Sequence, residues 1–249
     1  MDSRNKERRG MKSLVLCSGG VDSAVCLAMA AEQGPVETIS FKYGQTHQIE
    51  LEHSAMLSKY YNCTAHHEIN LPDVFSGGGK STLVDTGLEQ PHMTYAEIRG
   101  SEGVSPTYVP FRNANLISAA VAKALTRECD AVWFGAHAED ARNWAYPDTS
   151  SEFVGSLSAA IYIGTYHKIR LITPLQWLMK ADIVKKGLGL KVPFELTYSC
   201  YQGSERPCTK CPTCVERTAA FEANMTQDPA LTDKEWEQAL QYMSGHKLA

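Results

Sequence analysis

The stretch LCSGGVDSA at residues 16–24 constrains the fold more than any other part of the chain. An apolar run, SLVLC at 13–17, reads as a buried strand. It leads through two glycines into an apolar stretch that reads as a helix from Ser23 to Gln33, with Gly34 at its C′ position and Pro35 beyond. The same alternation recurs downstream. Strands are expected at Val36–Tyr43, Thr64–Asn70, Asp130–His137 and Lys168–Ile172, and helices at Thr46–Tyr61, Asn113–Glu128, Ser151–Tyr166 and Lys180–Leu188. Alternating strands and helices predict an α/β fold, a mostly parallel sheet with helices on both faces. Ligands of such folds bind beyond the C-terminal ends of the strands, where the chain reverses its direction of winding. The glycine turn after the first strand lies at that place.

The chemistry of the turn follows from its residue types. Gly19 and Gly20 let backbone N–H groups approach an anion closely, and Ser18 and Ser23 add hydroxyl donors. The following helix directs its positive end at the same spot. Such a loop could hold a pyrophosphate without a lysine. Asp22 needs its own reason, because a carboxylate repels phosphate. It either caps the helix or shares a Mg²⁺ ion with the phosphates. A second glycine-rich loop, SGGGKST at 76–82, imitates a P-loop, but Val74 stands where that pattern needs glycine. It also lacks the flanking strand and helix. It reads as part of a long irregular segment, 72–107, of the kind that serves as a lid or a binding loop, or is disordered.

Of the eight cysteines, Cys17, Cys26, Cys63 and Cys129 are scattered, while Cys200, Cys208, Cys211 and Cys214 are clustered. This usage predicts a reduced, cytoplasmic protein with one metal site. Four thiolates suit structural Zn²⁺, and an iron–sulfur cluster is the rival. A formal net charge of −4 argues against direct nucleic-acid binding. No run is apolar enough to span a membrane, and the charged start MDSRNKERRG is not a signal peptide. Three regions are expected: a flexible tail at 1–12, a nucleotide domain at 13–190, and a zinc-binding and helical region at 191–249. A capping box at Thr232 and Glu235 opens a last short helix.

SGGVDS resembles the PP-loop of the N-type ATP pyrophosphatases, which cleave ATP between its α and β phosphates. The larger pattern resembles the 7-cyano-7-deazaguanine synthase (QueC) family. LCSGGVDSAVCL, FKYGQTHQIE, TYVPFRNANLISAAVA, FGAHAEDARNWAYPD, TPLQWLMKADIV and TYSC…CTKCPTC follow in that family's order, from about Leu14 to Glu222. The resemblance implies a Rossmann-like sheet, a homodimer, and an ATP-dependent ligase. That enzyme would turn 7-carboxy-7-deazaguanine and ammonia into 7-cyano-7-deazaguanine, through an adenylated acid and an adenylated amide.

The resemblance also implies site roles. ATP would be held by Leu16, Cys17, Ser18, Gly19, Gly20, Val21, Asp22, Ser23, Phe41 and Tyr43, with Mg²⁺. Ser18, Asp22, Ser23 and Arg112 would serve catalysis. Gln45, Arg112, Asn113, Asp140, Tyr146 and Asp148 would line the substrate site, with His47, Glu139, Trp144 and Glu152 near it. Two stretches depart from the family pattern. VPFRN stands where VPGRN is common, and DARNWAYPDTS replaces a shorter segment. Both leave open a relative that stops at the amide or joins the acid to another amine. A PP-loop tRNA-modifying enzyme is the other alternative. It would need a catalytic cysteine pair and an RNA-binding appendage.

Overall fold

A computed structural model of the chain describes residues 10–45, 48–71, 75, 81, 83–84 and 104–245. His47, Lys80 and most of the 72–107 segment lie outside the described residues. Five strands form one sheet: β1 (Ser13–Leu16), β2 (Val36–Lys42), β3 (Ala65–Asn70), β4 (Ala131–Trp133) and β5 (Arg170–Ile172). Their order is β3-β2-β1-β4-β5 and every pairing is parallel. The chain winds one way from β1 to β3 and the other way from β4 to β5, which is Rossmann-like topology. The reversal falls between β1 and β4, so the loop after β1 sits at the switch point.

The α-helices that pack on the sheet and its flanks are α1 (Val21–Ala31), α2 (Ile49–Tyr60), α3 (Arg112–Thr126), α4 (Ser151–Gly164), α5 (Lys180–Gly189), α6 (Pro212–Ala223) and α7 (Asp233–Gly245). The period-two alternation of β1 explains how they divide. Val15 joins a core with Val25 and Leu27 of α1, Leu57 of α2, Ile183 of α5 and Phe221 of α6. Leu14 and Leu16 point the other way and join Ile117 and Val121 of α3 and Ile161 of α4. The sheet is therefore buried on both faces, as an all-parallel sheet requires.

Several boundaries differ from the sequence expectation. Helix α1 starts at Val21, two residues early, because Gly20 takes the N-cap position in extended backbone. No side chain caps it, so Asp22 lies in the first turn of α1 and is not its cap. Gly34 does not terminate the helix either, since the C-cap is Glu32. Its φ of +152° and the carbonyl of Met11, 2.7 Å from where a Cβ would sit, give the reason for glycine there. Strand β4 is shorter than expected, because the chain leaves the sheet at Gly135 to line the cleft. Helix α6 was missed: it opens inside the cysteine motif, with Cys211 as N-cap and Pro212 in the first turn.

Two outer segments are tied into this body. Met11 N–H donates to Gln33 O, and Lys12 N–H donates to Asp130. At the other end Thr232 and Glu235 form the expected reciprocal capping bonds, and α7 that follows is 13 residues long. No described helix is long and apolar enough to cross a membrane.

Candidate active site

A cleft of about 290 Å³ opens beyond the C-terminal ends of the strands. The loop after β1 forms its floor with Leu16, Cys17, Ser18, Gly20, Val21, Asp22 and Ser23. Gly19 is the loop residue that packs away from the cleft. Its φ is +90°, and a Cβ would stand 2.4 Å from the Glu50 carbonyl of α2. That position excludes any side chain. Gly20 has ordinary room, with nothing closer than 3.5 Å to a built Cβ. Its openness leaves the N-terminus of α1 approachable. Ser18 and Ser23 hydroxyls lie 3.3 Å apart, and Ser23 donates to Gly20 O.

One wall comes from β2 and α3. Phe41 lies near the end of β2 and Tyr43 just beyond it, and the Gln45 amide shapes the turn there by accepting from Tyr43 N–H and donating to Phe41 O. All three line the cleft. Arg112 is the first residue of α3, so it enters at a helix N-terminus. Its guanidinium donates to Tyr43 Oη at 3.2 Å and lies 5.3 Å from that ring's centre. Arg112 Nε is buried without a hydrogen-bond partner, and no ion pair holds this residue among those described. Burial works against its charge, but Tyr43 and Asp148 outweigh it and raise its pKa. Phe111, just before it, adopts φ +56°, a conformation that favours glycine, and its ring is exposed against Phe153. Glu50 also faces the cleft, and burial pushes its carboxyl up to about 7 despite the opposing charge of Arg112.

The opposite wall comes from β4, α5 and α6. His137 is fully buried, with Nε2 3.3 Å from Asp140 and 3.6 Å from Asp22. Lys180, the first residue of α5, places Nζ 2.7 and 2.8 Å from the two Asp22 oxygens and 3.6 Å from Glu216. Burial would raise the Asp22 pKa, but Lys180 and His137 outweigh it and hold the carboxylate ionised. Burial penalises the Lys180 ammonium too, yet Asp22, Glu216 and Asp140 raise its pKa further. Asp140 shifts upward, because burial dominates there.

Some expected site residues sit elsewhere. Asp148 is buried and does not line the cleft; its carboxylate accepts Asn113 N–H at 2.9 Å, capping α3. Asn113 itself reaches the cleft. Tyr146 lines the cleft and also hydrogen-bonds Ser105 and Thr107, which fastens the end of the long segment. Trp144 is 61% exposed, Glu152 is exposed, and Glu139 accepts Lys180 N–H. Lys180, His137, Glu50 and Glu216 were not singled out from the sequence. A loop without a cation was the one signal, and it did not say where the cation would come from.

The four clustered cysteines converge, with all Sγ atoms within 4.8 Å of one another. Individual separations are 3.5 Å for Cys211–Cys214, 3.9 Å for Cys200–Cys211 and 4.0 Å for Cys208–Cys214. Thiolates about 2.3 Å from a tetrahedral ion stand about 3.8 Å apart, so the group fits one metal ion. Backbone N–H groups of Gln202 and Cys208 donate to Cys200 Sγ, as suits a thiolate. The group anchors the neighbouring chain. Two residues before Cys200, Tyr198 N–H donates to Gly19 O at 2.9 Å, and Tyr198 and Ser199 line the cleft.

Comparison with known proteins settles the family. The model for "Queuosine biosynthesis protein QueC" matches residues 12–225. The chain belongs to the QueC family. A 7-cyano-7-deazaguanine synthase of Archaeoglobus fulgidus is 38% identical over 233 residues, covering 92% of this chain and 94% of that one. The enzyme of the same name from Thermoplasma volcanium is 40% identical, covering 88% and 89%. That of Pseudomonas fluorescens is 38% identical, covering 88% and 96%. QueC proteins are enzymes, and this chain is an enzyme of that family. Among solved structures, NMN synthetase from Francisella tularensis is 15% identical with a TM-score of 0.45, covering 96% of this chain and 86% of that one. A likeness at that level carries no argument.

Proposed function

We propose that the chain is an ATP-dependent carbon–nitrogen ligase that makes 7-cyano-7-deazaguanine from 7-carboxy-7-deazaguanine and ammonia. The observation that carries this reading is the cleft at the switch point, where an anion-receptive loop faces two walls, each bearing a cation. A carboxylate is a poor electrophile with a poor leaving group, and activation with ATP remedies both. A substrate carboxylate oxygen attacks the α-phosphorus, the α–β phosphoanhydride bond breaks, and pyrophosphate leaves. Ammonia then adds to the acyl carbon, AMP departs and a proton is lost, giving the amide. With a second ATP the amide oxygen is adenylated, and loss of AMP and protons leaves the nitrile. No covalent enzyme intermediate is required. The protein positions reactants and neutralises charge.

In this reading Ser18, Gly20 and Ser23 receive the leaving pyrophosphate. Leu16, Cys17, Val21, Phe41 and Tyr43 hold the nucleoside side, and Gly19 sets the loop's shape. Arg112, with Nε unpaired and Asn113 beside it, takes the reacting carboxylate or the α-phosphate. Gln45, Asp140 and Tyr146 face the deazaguanine, and Asp148 acts on it only through α3. Asp22 is the carboxylate that would hold Mg²⁺, whose chemistry when bound is to neutralise phosphate charge. Cys200, Cys208, Cys211 and Cys214 would hold a structural Zn²⁺. A tRNA-thiolating reading finds less support. Outside that group, burial raises the thiol pKa of Cys17, Cys26, Cys63 and Cys129, the last two to about 11, so none is poised as a nucleophile.

The test is incubation with the acid, ATP, Mg²⁺ and ammonium, with mass spectrometry of the product. The nitrile is expected. Amide alone, or a conjugate with an added amine, would replace the proposed end product while keeping acid activation.

A further inference from the structure

Among the described residues, four acids line the cleft: Asp22, Glu50, Asp140 and Glu216. Three of them have basic partners. Lys180 Nζ lies 2.7 Å from Asp22 and 3.6 Å from Glu216, and His137 Nε2 lies 3.3 Å from Asp140. The Glu50 carboxyl has neither an ion pair nor a hydrogen bond among the described residues; burial and the charges of Arg112 and Cys200 are what act on it. We propose that Glu50 is the carboxylate that receives the ammonium nucleophile and takes its proton; this rests on reading the cleft as the place where the acid is adenylated.

Position carries the argument first. Glu50 lies in the first turn of α2, and its own carbonyl abuts Gly19 of the β1 loop. It reaches the cleft beside that loop, within electrostatic range of Arg112, Tyr43 and Cys200, the titratable groups that face it from α3, the end of β2 and the segment before α6. The chemistry carries it next. Arg112 acts on Glu50 without closing an ion pair, and its Nε stays unpaired. A ligand held between the two must be positive toward Glu50 and electron-rich toward Arg112. An ammonium ion beside an acyl adenylate meets both demands. Ammonium is the prevailing form at neutral pH and has no lone pair, so a base must take a proton before attack. Burial lifts the Glu50 carboxyl to about 7 against the pull of Arg112, which suits a base working near neutral pH. In the step, one ammonium N–H bond breaks and its proton goes to a Glu50 oxygen. The freed lone pair forms the C–N bond, AMP leaves with the electron pair of the acyl C–O bond, and the second surplus proton passes to water as the amide forms. Glu50 then returns its proton to solvent, and nothing is oxidised or reduced.

The test compares two amines on wild type and E50Q, with thermal melts to show that each is folded. Ammonium leads to the amide; hydroxylamine, uncharged at neutral pH, leads to the hydroxamate without a base to free its lone pair. With the deazaguanine acid, ATP and Mg²⁺ at neutral pH, E50Q is expected to lose about a hundredfold in kcat/KM for ammonium and less than about threefold for hydroxylamine. The ammonium gap between the two proteins should narrow as pH falls through about 7, where the wild-type carboxyl is itself neutralised. An equal loss with both amines would give Glu50 a role in holding the acid or the fold, and overturns the proposal. So does full activity of E50Q with ammonium, and so does a gap that ignores pH. Should E50Q not fold, Glu50→Ala takes its place in the same comparison. The wild type separates this idea from its parent. A wild type that forms neither hydroxamate nor amide removes the adenylation reading. A wild type that forms both, matched in rate by a folded E50Q, removes only the role of Glu50.

Discussion

Glu37 sits 1% exposed near the start of β2, at the end of the sheet away from the cleft. Lys12 and Arg127 approach it at 2.9 Å and His67 at 2.7 Å. Burial would raise its pKa, but Arg127, His67 and Lys12 together outweigh burial and hold it at about 2. A depressed carboxyl adds stability that is full above the unfolded value, near 4.5, and is lost as pH falls toward 2. Glu37→Gln should therefore cost roughly 2 kcal/mol in urea unfolding at neutral pH, with the gap closing as acid is added. A pH-independent gap would show that packing, not charge, is at stake. Glu50 predicts the opposite slope. Its carboxyl rises to about 7, so folding is penalised as pH climbs from about 4.5 through 7. Glu50→Gln should melt higher than wild type at about pH 8 and match it at about pH 4. Neither residue stood out in the sequence, because acidity of this kind depends on partners far apart in the chain.

At the scale of elements, the loop after β1 is held from two sides. Helix α2 presses the Glu50 carbonyl against Gly19, and Tyr198 ties the cysteine-bearing segment to Gly19 O. Gly19→Ala should cost about 2 kcal/mol of stability and abolish nucleotide binding, whereas Gly20→Ala should change stability by under about 1 kcal/mol. Equal effects at the two positions, read by thermal melts and calorimetry, would contradict this division. If the cysteine group holds the proposed Zn²⁺, a chelator should lower the melting temperature and weaken nucleotide binding together, since Tyr198 and Ser199 adjoin Cys200 and line the cleft. A chelated protein that binds nucleotide unchanged would mean the clip is local. The motifs at this scale were readable because each is contiguous: SGGVDS between a strand and a helix, and three cysteines within seven residues. Helix α6 was hidden because its opening residues are also the metal motif, which reads as a loop. The role of Asp148 was hidden for another reason, since a carboxylate that caps a helix across 35 residues looks like any loop acid.

Across the whole molecule, the parallel sheet covered on both faces was legible from alternation, because strands and helices that take turns leave few other architectures; the order β3-β2-β1-β4-β5 was not, because it depends on pairings between strands far apart in the chain. The composition of the cleft was legible in part. The β1 loop and the end of β2 announce themselves locally, and so does the Arg112–Asn113 junction. The far wall of Asp140, Lys180 and Glu216 does not, because three separate segments assemble it. That wall gives the cleft its second cation, Lys180. The most direct measurement follows a heavy-oxygen label. The deazaguanine acid, labelled in its carboxylate, is incubated with unlabelled ATP, Mg²⁺, ammonium and water, and the nucleotide product is weighed. The account predicts AMP carrying one labelled oxygen from the acid, with pyrophosphate unlabelled. Unlabelled AMP, or ADP and phosphate in its place, would contradict adenylation of the acid in this cleft.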